Sequence, residues 1–499
     1  MHKSFRRKPL SLLLKEVNSE HRLHRILGPV ALTSLGVGAI IGTGIFVLIG
    51  VAAHDKAGPA VTLSFAIAGM ACVFAALCYA EFASMVPVAG SAYTYAYATL
   101  GELMAWIIGW DLILEYGVAS ATVAHGWSKY FQDFIGIFGL GVPAIFANAP
   151  FDFDPSSGVL IITDSWFDLP AVFITFVITV ILVKGIKESA NVNAGMVIFK
   201  VAIVLLIIGL GAMYVKPSNW IPFAPYGFSG LTIFGHTVLG ETGASGAPVG
   251  VLAGAAMIFF AYIGFDSIST HAEEAKNPQR DIPIALISSL VICTILYIAV
   301  AAVITGMVPY NNINIDAPVS NAFMQVGIGW AQLIVSLGAI TGITSVLLVM
   351  MLSQPRIFLA MSRDGLLPKS FFGAIHHKFR TPWKSTILTG GFVAILGGLL
   401  PLRLLAELVN IGTLFAFVIV CTAVLIMRKT HPDAHRPFRA PLVPLVPLAG
   451  ILTCLTLMFS LPVENWIRLF GWLVIGIVIY FFYGRKHSAL NSYESDGNE

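Results

Sequence analysis

The long uncharged stretches of this chain constrain its fold more than any other feature. Residues 171–183 and 201–215 contain no acid or base, and comparable runs recur from residue 30 to residue 484. At a rise of 1.5 Å per residue, about 20 apolar residues cross a hydrocarbon core of about 30 Å. Backbone groups there have no water to bond, so such segments must close their hydrogen bonds internally, as helices. Composition agrees: 11% of the 499 residues are charged and mean hydropathy is +0.84, whereas soluble domains carry roughly 25% charged residues. The chain therefore reads as an all-α polytopic membrane protein.

Twelve spans are expected, near 30–53, 59–86, 101–131, 169–187, 192–215, 248–270, 284–308, 331–362, 384–401, 403–427, 441–462 and 465–484. The aromatic run 91–99 is a possible earlier start to span 3. With the N-terminus inside, 23 lysines and arginines fall on the cytoplasmic side and 5 outside, with Lys200 left within a span. That bias places both termini in the cytoplasm. The external loop 132–168, with five aspartates and no base, agrees. The resulting organisation is a cytoplasmic segment 1–28, five-helix units at 30–215 and 248–427, spans 11 and 12 at 441–484, and a cytoplasmic tail 485–499. The first apolar run starts too late and is too long for a signal peptide. Cys72, Cys78, Cys293, Cys421 and Cys454 have neither disulfide nor metal spacing, and read as small packing residues. No metal site or nucleic-acid partner is expected.

Span 1 contains glycines at 36, 38, 42 and 44, each weakening a helix by about 1 kcal/mol relative to alanine. Close helix packing would account for them. A helix broken at mid-membrane would also do so, and backbone of that kind is tolerated where it lines a cavity. The second half of such a helix would present the amides of Gly42, Thr43 and Gly44 to an anion such as a carboxylate. Span 6 carries one glycine among aromatics at 259–266. If it breaks, its carbonyls face the same cavity and can accept an ammonium. Spans 1 and 6 hold equivalent places in the two five-helix units, a pattern that points to an inverted-repeat transporter.

The run 35–46, Ala-Gly-Pro-Ala at 57–60, Cys-Tyr-Ala-Glu-Phe at 78–82 and the stretches 87–97, 101–106 and 109–114 are similar to cationic-amino-acid-transporter-type permeases. So are Phe265-Asp266, the signature at 273–283 and Met-Ser-Arg-Asp-Gly-Leu-Leu-Pro at 361–368. These features place the resemblance in the amino acid–polyamine–organocation superfamily, over about residues 24–485. The resemblance implies a LeuT-like five-plus-five inverted repeat with two extra C-terminal helices. It also implies an amino acid held between spans 1, 3, 6, 8 and 10. The substrate-binding residues expected are Ile40, Ile41, Gly42, Thr43 and Gly44 on span 1, Glu115 on span 3, and Phe260, Ala261 and Ile263 on span 6. Phe260 would serve as an outer lid, though ordinary packing would also explain Phe259 and Phe260. Met350 on span 8 stands where cationic members resembled here carry a small hydroxyl residue. The bulkier, less polar wall favours neutral substrates, because an unpaired charge in a cavity is costly. Glu115 keeps lysine or arginine transport open.

A lysine at a helix centre costs about 2.5–3.5 kcal/mol on insertion scales and is usually functional; snorkelling to the inner interface is the plainer account of Lys200. In the proton-coupled branch of the superfamily a span-5 lysine matches Lys200 and stands in for a sodium ion. By that resemblance it would sit between span 1 backbone near Gly38 and Ala39 and the span 8 hydroxyls Thr344 and Ser345. Proton symport through Lys200 follows as the expectation, with a proton gradient as energy source and no cofactor. The partners implied are an amino acid, protons and the lipid bilayer; the sequence says nothing of an accessory subunit. Asp111 and Glu115, one turn apart, are expected to share a proton or to brace neighbouring helices. Glu81 and Glu102 should be solvated at membrane ends. Asp266, Glu273 and Glu274 should pair with Lys276, Arg280 or the span 8–9 bases. The spans hold no nucleophile with a base and no His–Glu metal pair, so an enzyme is not expected. Sodium coupling, obligate exchange and a non-transporting sensor remain as rivals.

Overall fold

The computed structural model describes residues 6–8, 27–86, 91–153, 160–185, 190–234, 236–243 and 248–491. Lys3, Lys15, Arg22, Arg25 and Lys187 of the charge tally lie outside these residues, as do most of segment 1–28, residues 87–90 and residues 492–499. The same holds for the side chain of Glu273. The principal helices are α1 (Pro29–Ile40), α2 (Val61–Met85), α3 (Glu102–Gly136), α4 (Leu169–Lys184), α5 (Ala190–Ala212) and α6 (Val251–Ile258). They continue with α7 (Pro278–Met307), α8 (Gly329–Arg363), α9 (Trp383–Leu399), α10 (Leu402–Thr430), α11 (Leu445–Phe459) and α12 (Val463–Ile479). Among the described residues, eight helical segments are long and apolar enough to cross a membrane, and four shorter apolar helices accompany them.

The packing follows from where small and polar residues lie. α3 is the axis, buried along most of its length and flanked by α8 and α10, while α7 packs against α2 and α1. Hydroxyls inside these helices bond back one turn, as Ser120 does to Tyr116 O, Thr175 to Ala171 O and Thr305 to Ala301 O. This keeps polar atoms paired in an apolar surrounding. Asp168 caps α4 through the Ala171 amide at 3.0 Å. Two antiparallel hairpins, β1 (Phe151–Phe153) with β2 (Leu160–Ile162) and β3 (Leu231–Ile233) with β4 (His236–Leu239), lie in the connections before α4 and α6.

Three expectations need correction. Ser91–Thr99 is a helix of its own rather than an earlier start to α3, because Gly101 breaks the chain with φ 103°. Glu81 is not solvated. It is 2% exposed, with both oxygens held by Arg428 at 2.8 and 2.7 Å, one by Arg436 at 3.2 Å, and the Ala440 amide at 2.8 Å. The connection between α10 and α11 folds back over the end of α2 and brings the second arginine with it. Glu102 is likewise buried, against Tyr97, Tyr480 and Ser488. Removing one partner of a buried ion pair costs about 3–5 kcal/mol. Glu81→Ala should therefore lower the melting temperature of the detergent-purified protein clearly. An unchanged melting curve would mean that solvent already screens these charges.

Candidate functional site

α1 stops where its glycines predict. Ile41 leaves the helix at φ −70°, ψ 103°, and the chain resumes in a π-type turn at Gly44–Leu48. The first bonds after the break run from the Ile45 and Phe46 amides to Gly42 O, both 3.2 Å. The amides of Gly42, Thr43 and Gly44 precede them at the free end of the second half, the end that favours negative charge. α6 breaks as well. After Ile258 it tightens into a 3₁₀ turn at Phe259–Tyr262, Ile263 is extended, Gly264 takes φ 111°, and a short helix resumes at Ser267–Thr270.

The two breaks lie against each other. A Cβ on Gly44 would overlap the backbone of Ala261, and one on Gly264 would stand 2.9 Å from Ala39 O and from Met350 Cε. From α7, the Tyr297 hydroxyl reaches Ile40 O at 2.8 Å and Ala261 O at 3.0 Å. A single O–H thus serves the last carbonyls of both first halves. α8 closes the other side, with Val346 against Gly42 and Met350 against Gly264. Ile40, Ile41, Thr43, Phe260, Ala261, Ile263 and Met350 are all buried. Phe259 packs edge-on against Phe417, 5.8 Å between centroids.

Lys200 is 1% exposed and does not snorkel. Its ammonium donates to Gly38 O at 2.6 Å and Ile41 O at 3.0 Å, carbonyls that the break in α1 frees from helical bonding. The other expected neighbours are differently engaged. Ala39 O faces Gly264. Thr344 accepts from Trp127 Nε1 at 2.9 Å and donates to Ile340 O, and Ser345 donates to Gly342 O. α8 meets the lysine through Gly342, where a Cβ would lie 3.6 Å from the lysine stem.

Glu115 and Asp111 are buried on α3, and Asp111 faces Gly412 of α10. Asp266 accepts the Tyr116 hydroxyl at 2.5 Å rather than a base, and Glu274 pairs with Arg356 at 3.4 Å. Among the described residues, Thr43 Oγ1, Glu115 Oε1, Asp266 Oδ1, Gln354 Oε1, Asn410 Oδ1 and both Asp111 oxygens have no hydrogen-bond partner. Buried polar atoms are normally paired, so these unpaired acceptor oxygens suit hydrogen-rich cations and protons. Tyr297, Val346, Tyr116, Gln354 and Asn410 were not anticipated from sequence. The signal for Tyr297 was available: it is the one aromatic hydroxyl in the apolar run 284–308.

The chain matches the family model described as amino acid permease over residues 27–486. It is 49% identical over 488 residues to the branched-chain amino acid permease BcaP of Bacillus subtilis, covering 98% of this chain and 99% of that protein. It is 46% identical over 491 residues to the methylthioribose transporter of the same organism, covering 98% and 100%. It is also 40% identical over 436 residues to the vacuolar cationic amino acid transporter 4 of Arabidopsis thaliana, covering 87% and 68%.

Proposed function

Because the chain belongs to the amino acid permease family, a family of multi-pass membrane transporters of amino acids, we propose that it takes up neutral, apolar L-amino acids together with protons. The observation that carries this reading is the meeting of two half-helix breaks. The amides of Gly42, Thr43 and Gly44, at the start of the second half of α1, suit a carboxylate, and the unpaired acceptor oxygens of Glu115 and Asp266 suit an ammonium. In this reading all twelve helices span the membrane, α1–α5 and α6–α10 form the LeuT-like inverted repeat, and α11 and α12 are additional. Both termini are cytoplasmic and the membrane is the cell membrane.

Transport proceeds by alternating access around the breaks. Lys200 holds Gly38 O and Ile41 O while charged, fixing the end of the first half of α1 at the break. Loss of its proton weakens those bonds and frees α1 to move, and the substrate's arrival is linked to protonation in the reverse sense. Met350, Val346 and the isoleucines surround the substrate side chain with apolar surface, in keeping with BcaP as a relative.

Uptake of labelled leucine into proteoliposomes under an imposed pH gradient tests the reading. Competition by valine, isoleucine and alanine is expected, with weak competition by arginine. Methylthioribose is the second reading, supported by the relative of that name; its competition at lower concentration than leucine would overturn the amino acid assignment. Met350→Ser should lower the arginine concentration needed for half-inhibition by about tenfold, the equivalent of one hydrogen bond to a charged group. No change would remove Met350 from the substrate wall.

A further inference from the structure

The residues after α12 are tied into the body of the protein. A last helical turn, Arg485–His487, leads into residues 488–491, which cross the ends of two other helices. The Ser488 hydroxyl donates to Glu102, the first residue of α3, whose carboxylate also accepts from Tyr480 at 2.9 Å and Tyr97 at 3.1 Å. The Ala489 amide donates to the carbonyl of Asp364, the residue that ends α8, at 2.9 Å. The Asp364 carboxylate holds Lys8 Nζ at 2.8 Å and the Tyr93 hydroxyl at 2.6 Å. Leu490 is buried, and Asn491 Oδ1 accepts from Arg6 Nη2 at 2.6 Å. At Gly365, a Cβ would overlap His487 O, so the tail lies directly on the turn after α8.

These bonds join the start of α3 to the end of α8, the helices that carry Glu115 and the Val346–Met350 wall. We propose that residues 488–491 form an autoinhibitory latch: they hold the inner ends of α3 and α8 together, keep the site closed on the cytoplasmic side, and must let go for substrate to leave. The inference rests on the alternating-access reading above and goes beyond it by assigning the tail a gating role. A latch of this kind slows the resting cycle and offers a point of control to anything that competes for the tail.

The test is accessibility, which requires no knowledge of the substrate. Ala272, buried in the turn beyond the α6 break, is replaced as Ala272→Cys, and a membrane-impermeant maleimide is applied from the side of the termini. Peptide mass spectrometry follows this reporter separately from the five native cysteines, all of them buried. Loss of one hydrogen bond shifts such an equilibrium by roughly fivefold. Ser488→Ala and Asn491→Ala should each speed reporter labelling by about that factor, and ending the chain at His487 by about tenfold or more. A synthetic peptide of residues 485–499 should slow the truncated protein again. Unfolding would expose the native cysteines as well, whereas latch release exposes the reporter alone. Labelling at the unmodified rate in Ser488→Ala and Asn491→Ala overturns the latch, and leaves the transport reading to its own assay.

Discussion

Lys200→Ala is expected to reduce proton-driven uptake by at least about a hundredfold while the protein stays folded and membrane-inserted. Hydrogen bonds to charged groups contribute about 1.5–3 kcal/mol each. Lys200 makes two, to Gly38 O and Ile41 O. Their loss amounts to roughly 3 kcal/mol or more in the equilibrium that the proton is proposed to drive. The variant also leaves two buried carbonyls without a donor at the point where α1 breaks. Lys200→Arg separates the two effects, because a guanidinium can fill the donor role but cannot release its proton in a protein. It should allow substrate binding, seen as a ligand-induced rise in melting temperature, and still fail to accumulate substrate under a pH gradient. Undiminished proton-driven uptake by Lys200→Ala would end the coupling proposal.

The sequence announced the two breaks unequally. Four glycines in twelve residues marked α1, since helix weakness of that density needs a local cause. The single Gly264 marked α6 faintly, and only its φ of 111° and its distance to Ala39 O reveal how much depends on it. Lys200 stood out because a charge in an apolar run is costly wherever it points. Its partners did not, because a helix sequence fixes spacing but not rotation against a neighbour. Gly342, one turn before Ser345, is the α8 residue against the lysine stem, and Thr344 turns to Trp127. Glu81 and Glu102 were misplaced for a different reason. Their partners Arg436 and Ser488 lie 355 and 386 residues away, and no local pattern reports a contact that two distant loops create. Tyr297 combined both difficulties, being a lone hydroxyl whose target was backbone rather than side chain.

Gly264→Ala should then impair transport strongly, although it adds a single methyl group. Its φ of 111° is a conformation L-residues rarely adopt, and holding a residue in such a region costs about 1–3 kcal/mol. The added Cβ would stand 2.9 Å from two atoms. Met350 Cε, the end of a flexible chain, can swing aside. Ala39 O cannot, because it is α1 backbone one residue from the Ile40 carbonyl that Tyr297 holds. Relief therefore requires the two breaks to separate, and overpacking of this kind costs a further 1–3 kcal/mol, typically. Together these imply a loss of transport of at least about thirtyfold, the equivalent of 2 kcal/mol. Gly391→Ala on α9 is the matched control, since nothing lies within 4 Å of its Cβ position, and it should transport normally. Counterflow in proteoliposomes compares the two without a driving gradient. If Gly264→Ala exchanges substrate as fast as Gly391→Ala, the contact between the α1 and α6 breaks is not the moving part of the transporter.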